Sequence, residues 1–191
     1  MPAVRDLLRL ASISPRDLDA IAVGLGPGSY TGLRIGLIAA KTLTYALGCR
    51  LIGLDSLEIV ARNAPRQALR VSVVADAQRG DLFVADFDRN DADSPLVRRG
   101  ITRLENARDW SSRVAEGTFV LGPALLRSTF EVPLGAILAT ENDRLPLPSG
   151  LISSAMEAYR SGRSDDPWTL EPVYLRRSAA EDKRDGPIVA S

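Results

Sequence analysis

An α/β fold is predicted by three stretches of this chain. Residues 21–36, Ile-Ala-Val-Gly-Leu-Gly-Pro-Gly-Ser-Tyr-Thr-Gly-Leu-Arg-Ile-Gly, read as a buried strand, a glycine-rich turn and the opening of a helix. Residues 50–54, Arg-Leu-Ile-Gly-Leu, supply an apolar strand after that helix, and this strand–helix–strand order suggests a right-handed parallel crossover. Residues 69–88 are β-branched and then alternate in and out around a polar turn, the pattern of a hairpin.

The elements follow in order. Residues 2–11 form a helix with Val4, Leu7, Leu8 and Ala11 on one face. Ser14-Pro15-Arg16-Asp17 is a helix-start or turn signal that leads into a strand at 20–25. In the next turn Gly24, Gly26 and Gly28 offer positive φ, while Pro27 fixes φ between two of them. Ser29 or Thr31 is the N-cap of a helix through Leu47, and Gly48 is its C-cap. Asp55 caps a helix through about Ala64, with Glu58 completing a capping-box pattern. A strand at 69–75, a turn at Asp76–Gly80 and a strand from Asp81 complete the hairpin. Asn90–Pro95 is a polar loop and 96–103 an edge strand. A helix at 106–115, a buried strand at 118–121 and a short helix at 123–129 follow. A proline-rich connection at 140–149 leads to a helix from Gly150 to Arg160, and the charged tail from Ala179 is expected to be mobile.

The helix at 31–47 has unusual faces. Leu33, Ile35, Leu37, Ile38, Leu43, Tyr45 and Leu47 spread apolar groups around most of the cylinder, which implies burial on several sides. Gly32, Gly36 and Ala40 share one nearly bare face, at a cost of about 1 kcal/mol per glycine relative to alanine. Two readings follow: tight packing on the chain's own sheet, or a docking face for a partner helix. In the second, Arg34 and Lys41, seven residues apart on one side, fix the partner's register electrostatically.

Composition narrows the chemistry. The 191 residues allow one large domain or two small ones, and 45% hydrophobic content supports a real core. With 24 basic and 24 acidic residues the net charge is zero, without the basic excess of a protein that holds nucleic acid alone. There is no histidine, so a His general base, a His-containing triad and a His-ligated metal are excluded. The single Cys49 excludes an internal disulfide and reads as a buried, inert thiol. No run reaches the length of a membrane span and the start lacks a signal-peptide pattern, so a cytoplasmic location is the expectation.

Three candidate motifs carry plain alternatives. The glycine turn suggests phosphate cradling, but Ser29 breaks the Gly-x-Gly-x-x-Gly spacing and no Gly-Lys pair exists for a Walker A loop, so a structural turn is preferred. Asp76 and Asp81 flank a turn; they suit acid–base or Mg²⁺ chemistry, or simply solvated turn formation. Arg98-Arg99, Arg176-Arg177 and Lys183-Arg184 suit RNA phosphate or solvated surface. No catalytic or metal-ligating residue is assigned.

Three segments carry a resemblance. Gly26-Pro-Gly-Ser-Tyr-Thr-Gly-Leu-Arg-Ile-Gly36 resembles the signature of the bacterial TsaB (YeaZ) family. Asp76-Ala-Gln-Arg-Gly-Asp-Leu-Phe83 is similar to its Asp-Ala-Arg-x-Gly-Glu-Val-Tyr hairpin, and Glu171-Pro-Val-Tyr-Leu-Arg176 to its C-terminal Pro-x-Tyr-Leu-Arg segment. The resemblance implies an ASKHA (actin/Hsp70-like) fold of two α/β lobes, here residues 1–67 and 68–178 with a tail at 179–191. It implies a part in making threonylcarbamoyladenosine (t6A) beside the tRNA anticodon. TsaB-type proteins there are not the catalyst: they bind TsaD, which carries metal, nucleotide and transfer chemistry, and work with TsaE and a TsaC-type synthase. The expectation is a scaffold subunit that binds no cofactor alone and meets tRNA only through the complex. Its partner interface is expected at Gly32, Arg34, Gly36, Ala40 and Lys41, beside the turn Gly26, Pro27, Gly28, Ser29 and Thr31, with a homodimer as a further state. A metal-dependent glycoprotease-like enzyme and a stand-alone ATP-binding enzyme are the rivals. The family pattern begins upstream of Met1 with a strand and hairpin containing an Asp-Thr loop. A first lobe lacking its leading strands, with an exposed sheet edge, is therefore expected.

Overall fold

The computed structural model describes residues 2–127 and 132–175. Two sheets organise it. A parallel pair joins β1 (Ala20–Gly24) to β2 (Arg50–Leu54), with α2 (Tyr30–Leu47) as the crossover. The second sheet has the order β5-β4-β3-β6-β7, from β3 (Arg70–Gln78), β4 (Asp81–Asp88), β5 (Val97–Asn106), β6 (Phe119–Leu121) and β7 (Ile137–Leu138). The helices are α1 (Pro2–Leu10), α3 (Ser56–Ala61), α4 (Ala107–Arg113) and α5 (Pro148–Arg160).

Short α3 is the element both sheets share. Asp55 starts it by accepting from the N–H groups of Leu57 and Glu58. Leu57, Val60 and Ala61 then pack on Val71, Val73, Ala85 and Phe87 of the larger sheet. Ile59 turns the other way, to Ile52 and Leu54 of the smaller sheet, where Leu151, Ala155 and Ala158 of α5 cover it. An ion pair reinforces the junction: Arg98 of β5 reaches Asp55 at 2.9 Å and also donates to Thr102. The opposite face of the larger sheet buries Trp110 of α4 among Val74, Leu82, Val84 and Val120.

Behind Trp110 lies a polar knot. The indole Nε1–H donates to Ser72 Oγ (3.2 Å), which donates to Asp86 Oδ1 (2.7 Å). Asp86 Oδ2 accepts from Arg103 at 2.5 Å and Arg113 at 3.3 Å. Burial pushes this carboxyl up, but the hydrogen bonds from Ser72 and Arg103 and the charge of Arg113 outweigh it and hold the group below the usual carboxylate range. A carboxyl depressed on folding stabilises above its unfolded pKa, and that stability is lost as pH falls through the folded value. Asp86→Asn is expected to cost about 1–2 kcal/mol at neutral pH, discounted for partial exposure. Urea midpoints at neutral pH and about pH 3 check this: the wild type should lose more stability than the variant. Equal losses would refute it.

Several expectations are corrected. Among the three turn glycines only Gly26 has positive φ (102°), because the other two sit in ordinary backbone on either side. The hairpin turn is shorter than 76–80: β3 continues through Gln78 past a bulge at Asp76/Gln78, and Gln78, Arg79 and Gly80 take positive φ. The helix after Asp55 ends at Ala61 rather than Ala64, and two-residue β7 has no counterpart in the sequence reading. Cys49 is half-buried, because it sits in the link between Gly48, which caps α2, and exposed Arg50, which opens β2. The end of the helix expected at 123–129 and the tail from Ala179 lie outside the described residues.

Candidate functional site

The glycine turn is anchored on three sides. Leu25 donates to the Leu54 carbonyl (2.7 Å), and its own carbonyl accepts from Val173 (2.8 Å). Gly26 donates to Ser56 Oγ (3.1 Å) while Ser56 N–H donates back to the Gly26 carbonyl (2.8 Å). Leu25, Gly26 and Pro27 are buried, and the Gly26–Pro27 bond is cis. Ser29 is the N-cap of α2, its hydroxyl accepting from Gly32, whereas Thr31 lies exposed inside the first turn. Two N–H groups that a phosphate cradle would use are therefore committed to the chain itself.

At ~100° per residue, α2 has four sides. One faces the sheet: Leu37 and Ala40 are buried, and a Cβ at Gly36 would stand 3.9 Å from Val23. A second faces α1 across a 390 Å³ apolar groove lined by Val4, Leu8, Ile13, Leu18, Leu43 and Leu47. A third faces a strap formed by residues 165–175. The fourth is open to water and carries Thr31, Ile35, Ile38, Thr42 and Ala46, with Tyr45 at its margin. Ile35, Ile38 and Tyr45 are 64%, 63% and 75% exposed.

The strap begins on the free edge of β2. Asp165 donates its N–H to Leu51 (2.8 Å) and accepts from Gly53 through its carboxylate (2.7 Å), while Arg163 donates to the Gly53 carbonyl (2.7 Å). Asp166 then closes a turn by accepting from the Trp168 N–H (3.0 Å) and the Thr169 hydroxyl (2.9 Å). These bonds, with the nearby charge of Lys41, lower its pKa. The Trp168 ring meets Tyr45 edge-on at 5.8 Å. Further on, Tyr174 stacks near Tyr30 (4.8 Å) and accepts from Arg34 Nε (2.9 Å), whose guanidinium lies 4.2 Å over the Tyr30 ring. Leu175 finally packs against the core of the larger sheet.

These placements redistribute the five expected interface residues. Gly36 and Ala40 are turned to the chain's own sheet, where a Cβ at Gly36 would make an ordinary contact with Val23. Arg34 and Lys41 lie on the strap side, where Tyr174 accepts from Arg34 and the charge of Lys41 is felt by Asp166. Gly32 is exposed, beside the α1 flank. The expected burial on several sides holds for three of them and is corrected for the fourth: Ile35, Ile38 and Tyr45 remain in water because nothing among the described residues covers that side. The sequence reading singled out Glu171–Arg176 only as a family segment and missed Trp168; Asp166-Pro-Trp-Thr169 carries an Asx-turn pattern that would have flagged it.

The remaining candidates have structural partners. Asp76 accepts from Gln78 N–H (2.9 Å) and pairs with Arg127 (2.5 Å). Arg98 is half-buried on Asp55, which corrects its reading as solvated surface, and Arg99 pairs with Asp88 (3.0 Å). Arg176-Arg177 and Lys183-Arg184 lie outside the described residues. Among the described residues no group of three or more His, Cys, Asp or Glu side chains is placed to hold a metal ion, and no helix is long and apolar enough to cross a membrane.

Comparison with known proteins gives this geometry its family. The family model described as TsaD, tRNA N6-adenosine threonylcarbamoyltransferase, matches residues 1–98, the half that holds the glycine turn and α2. The tRNA threonylcarbamoyladenosine biosynthesis protein TsaB of Bacillus subtilis is 33% identical over 191 residues, covering 96% of this chain and 80% of that protein. Its Escherichia coli namesake is 29% identical, covering 97% and 83%. The solved structure of YeaZ from Pseudomonas aeruginosa superposes with a TM-score of 0.71 at 28% identity, covering 90% and 82%. These likenesses fit an actin-like α/β fold, and the chain belongs to the TsaB (YeaZ) family.

Proposed function

We propose that the chain is a non-catalytic scaffold subunit in t6A formation on tRNA, and that it works by docking a TsaD-type partner on the open side of α2. The family supports the pathway. The observation that carries the docking is the row Ile35, Ile38 and Tyr45, three large apolar side chains left in water on one helix side. A match of residues 1–98 to the TsaD family model supports a partner whose first lobe is built alike, so that two similar helix faces pack together. Commitment of the glycine turn's Leu25 and Gly26 N–H groups within the chain supports the absence of a nucleotide held alone, and the zero histidine count argues against a glycoprotease.

On this reading the chain has two lobes meeting near residues 67–68. ATP and metal belong to the partner, a TsaE-type subunit joins the assembly, and tRNA is met through the complex. Without the partner the same side of α2 pairs two copies of the chain.

The test is reconstitution with the same organism's TsaD-type protein. A 1:1 complex should form on a light-scattering column, and threonylcarbamoyl transfer to tRNA should need both proteins. Transfer by the chain alone, or failure to form the complex, would sink the proposal.

A further inference from the structure

The open side of α2 is too small to be a whole interface. An 18-residue helix is about 27 Å long, and a stripe about 10 Å wide gives roughly 270 Å², against about 800 Å² per partner in a stable complex. Ground on both flanks must contribute. On the α1 flank, Leu7 and Leu10 are 65% and 84% exposed. On the other flank stands Trp168, 78% exposed beside Tyr45.

Trp168 is an unusual group to leave in water. Fully apolar over most of its surface, it is held out by a turn that Asp166 fixes through the Trp168 N–H, the Thr169 hydroxyl and a Leu170 N–H bond to the Asp166 carbonyl (2.9 Å). The strap is pinned at both ends, on Leu51 and Gly53 at its start and on Leu25 and Arg34 near its finish. An aromatic ring with its backbone already ordered loses little entropy when a partner covers it, the physical profile of a binding anchor.

We propose that the strap is the second half of the docking surface: the TsaD-type partner that covers Ile35 and Ile38 also closes over Trp168 against Tyr45. This rests on the docking reading above and names a determinant that lies far from α2 in sequence. It also gives Arg34 a task. Its guanidinium holds the strap beside α2 through Tyr174, so it shapes the interface without being its contact.

The chain has two tryptophans, and Trp110 is fully buried, which makes the site readable by ¹⁹F NMR. The chain is labelled with 5-fluorotryptophan and titrated with unlabelled TsaD-type partner. The Trp168 resonance, identified by its loss in Trp168→Ala, should shift and become protected from a soluble paramagnetic agent, while the Trp110 resonance stays in place. Trp168→Ala should weaken partner binding about 30-fold in calorimetry with an unchanged urea midpoint. If the partner binds but Trp168 stays accessible and Trp168→Ala binds normally, the strap proposal falls while the docking reading stands. If the wild-type chain binds no partner, both fall.

Discussion

Ile38→Glu is expected to abolish docking of the TsaD-type partner while leaving the chain folded. Ile38 is 63% exposed at the middle of the open stripe, so a carboxylate there stays hydrated in the free chain and costs little stability. In the complex the same carboxylate would be buried against apolar surface without a partner charge, at a cost of at least about 3 kcal/mol, more than a hundredfold in Kd. Ile152→Glu is the matched control, since Ile152 is 57% exposed on α5, away from α2. Calorimetric titration should separate the two, with circular dichroism showing native spectra for both. Equal binding by Ile38→Glu and wild type would place the partner elsewhere.

Gly122→Ala is expected to be the most destabilising single-atom change in the larger sheet. Gly122 follows β6 with φ of 126°, and a Cβ there would collide with the Val74 carbonyl oxygen and stand 2.8 Å from the Val74 nitrogen. Val74 is the fully buried centre of β3, paired with Val84, so its backbone cannot retreat without breaking the ladder. Backbone strain at positive φ and the overlap together should cost about 4 kcal/mol, a large share of a small domain's stability. Urea unfolding is the measurement. Gly48→Ala serves as the comparison: it has positive φ of 68° but nothing within 4 Å, so its loss should stay near 1 kcal/mol. Similar losses for both would remove the packing argument.

The two predictions draw on different layers of information. The turn after β1, the αL residue Gly48 and the cap at Asp55 were legible, and the cap of α2 was narrowed to Ser29 or Thr31, because each is a local backbone problem with few residue types that solve it. The hairpin and the edge position of β5 were legible from alternation and polar turns. Strand β7 was not, because two residues carry no period and Ile137 and Leu138 are ordered by Phe119 and Val120 across a parallel ladder. The knot at Asp86 was equally silent, since Ser72, Asp86, Arg103 and Arg113 meet only when three strands and α4 stack.

By itself the sequence determined the α/β class, the strand–turn–helix at 21–47, the exclusion of histidine chemistry and the family resemblance, all matters of local geometry or composition. Helical periodicity also grouped the residues of α2 into faces. Which face meets what was decided only by tertiary structure. Gly36 and Ala40 went to the sheet side while Gly32 stayed exposed, the cations Arg34 and Lys41 went to the strap side, and the isoleucines remained open to water. The reason is chain separation: Arg34 and Tyr174 touch across 140 residues, and no period in either segment encodes that the other will lie beside it.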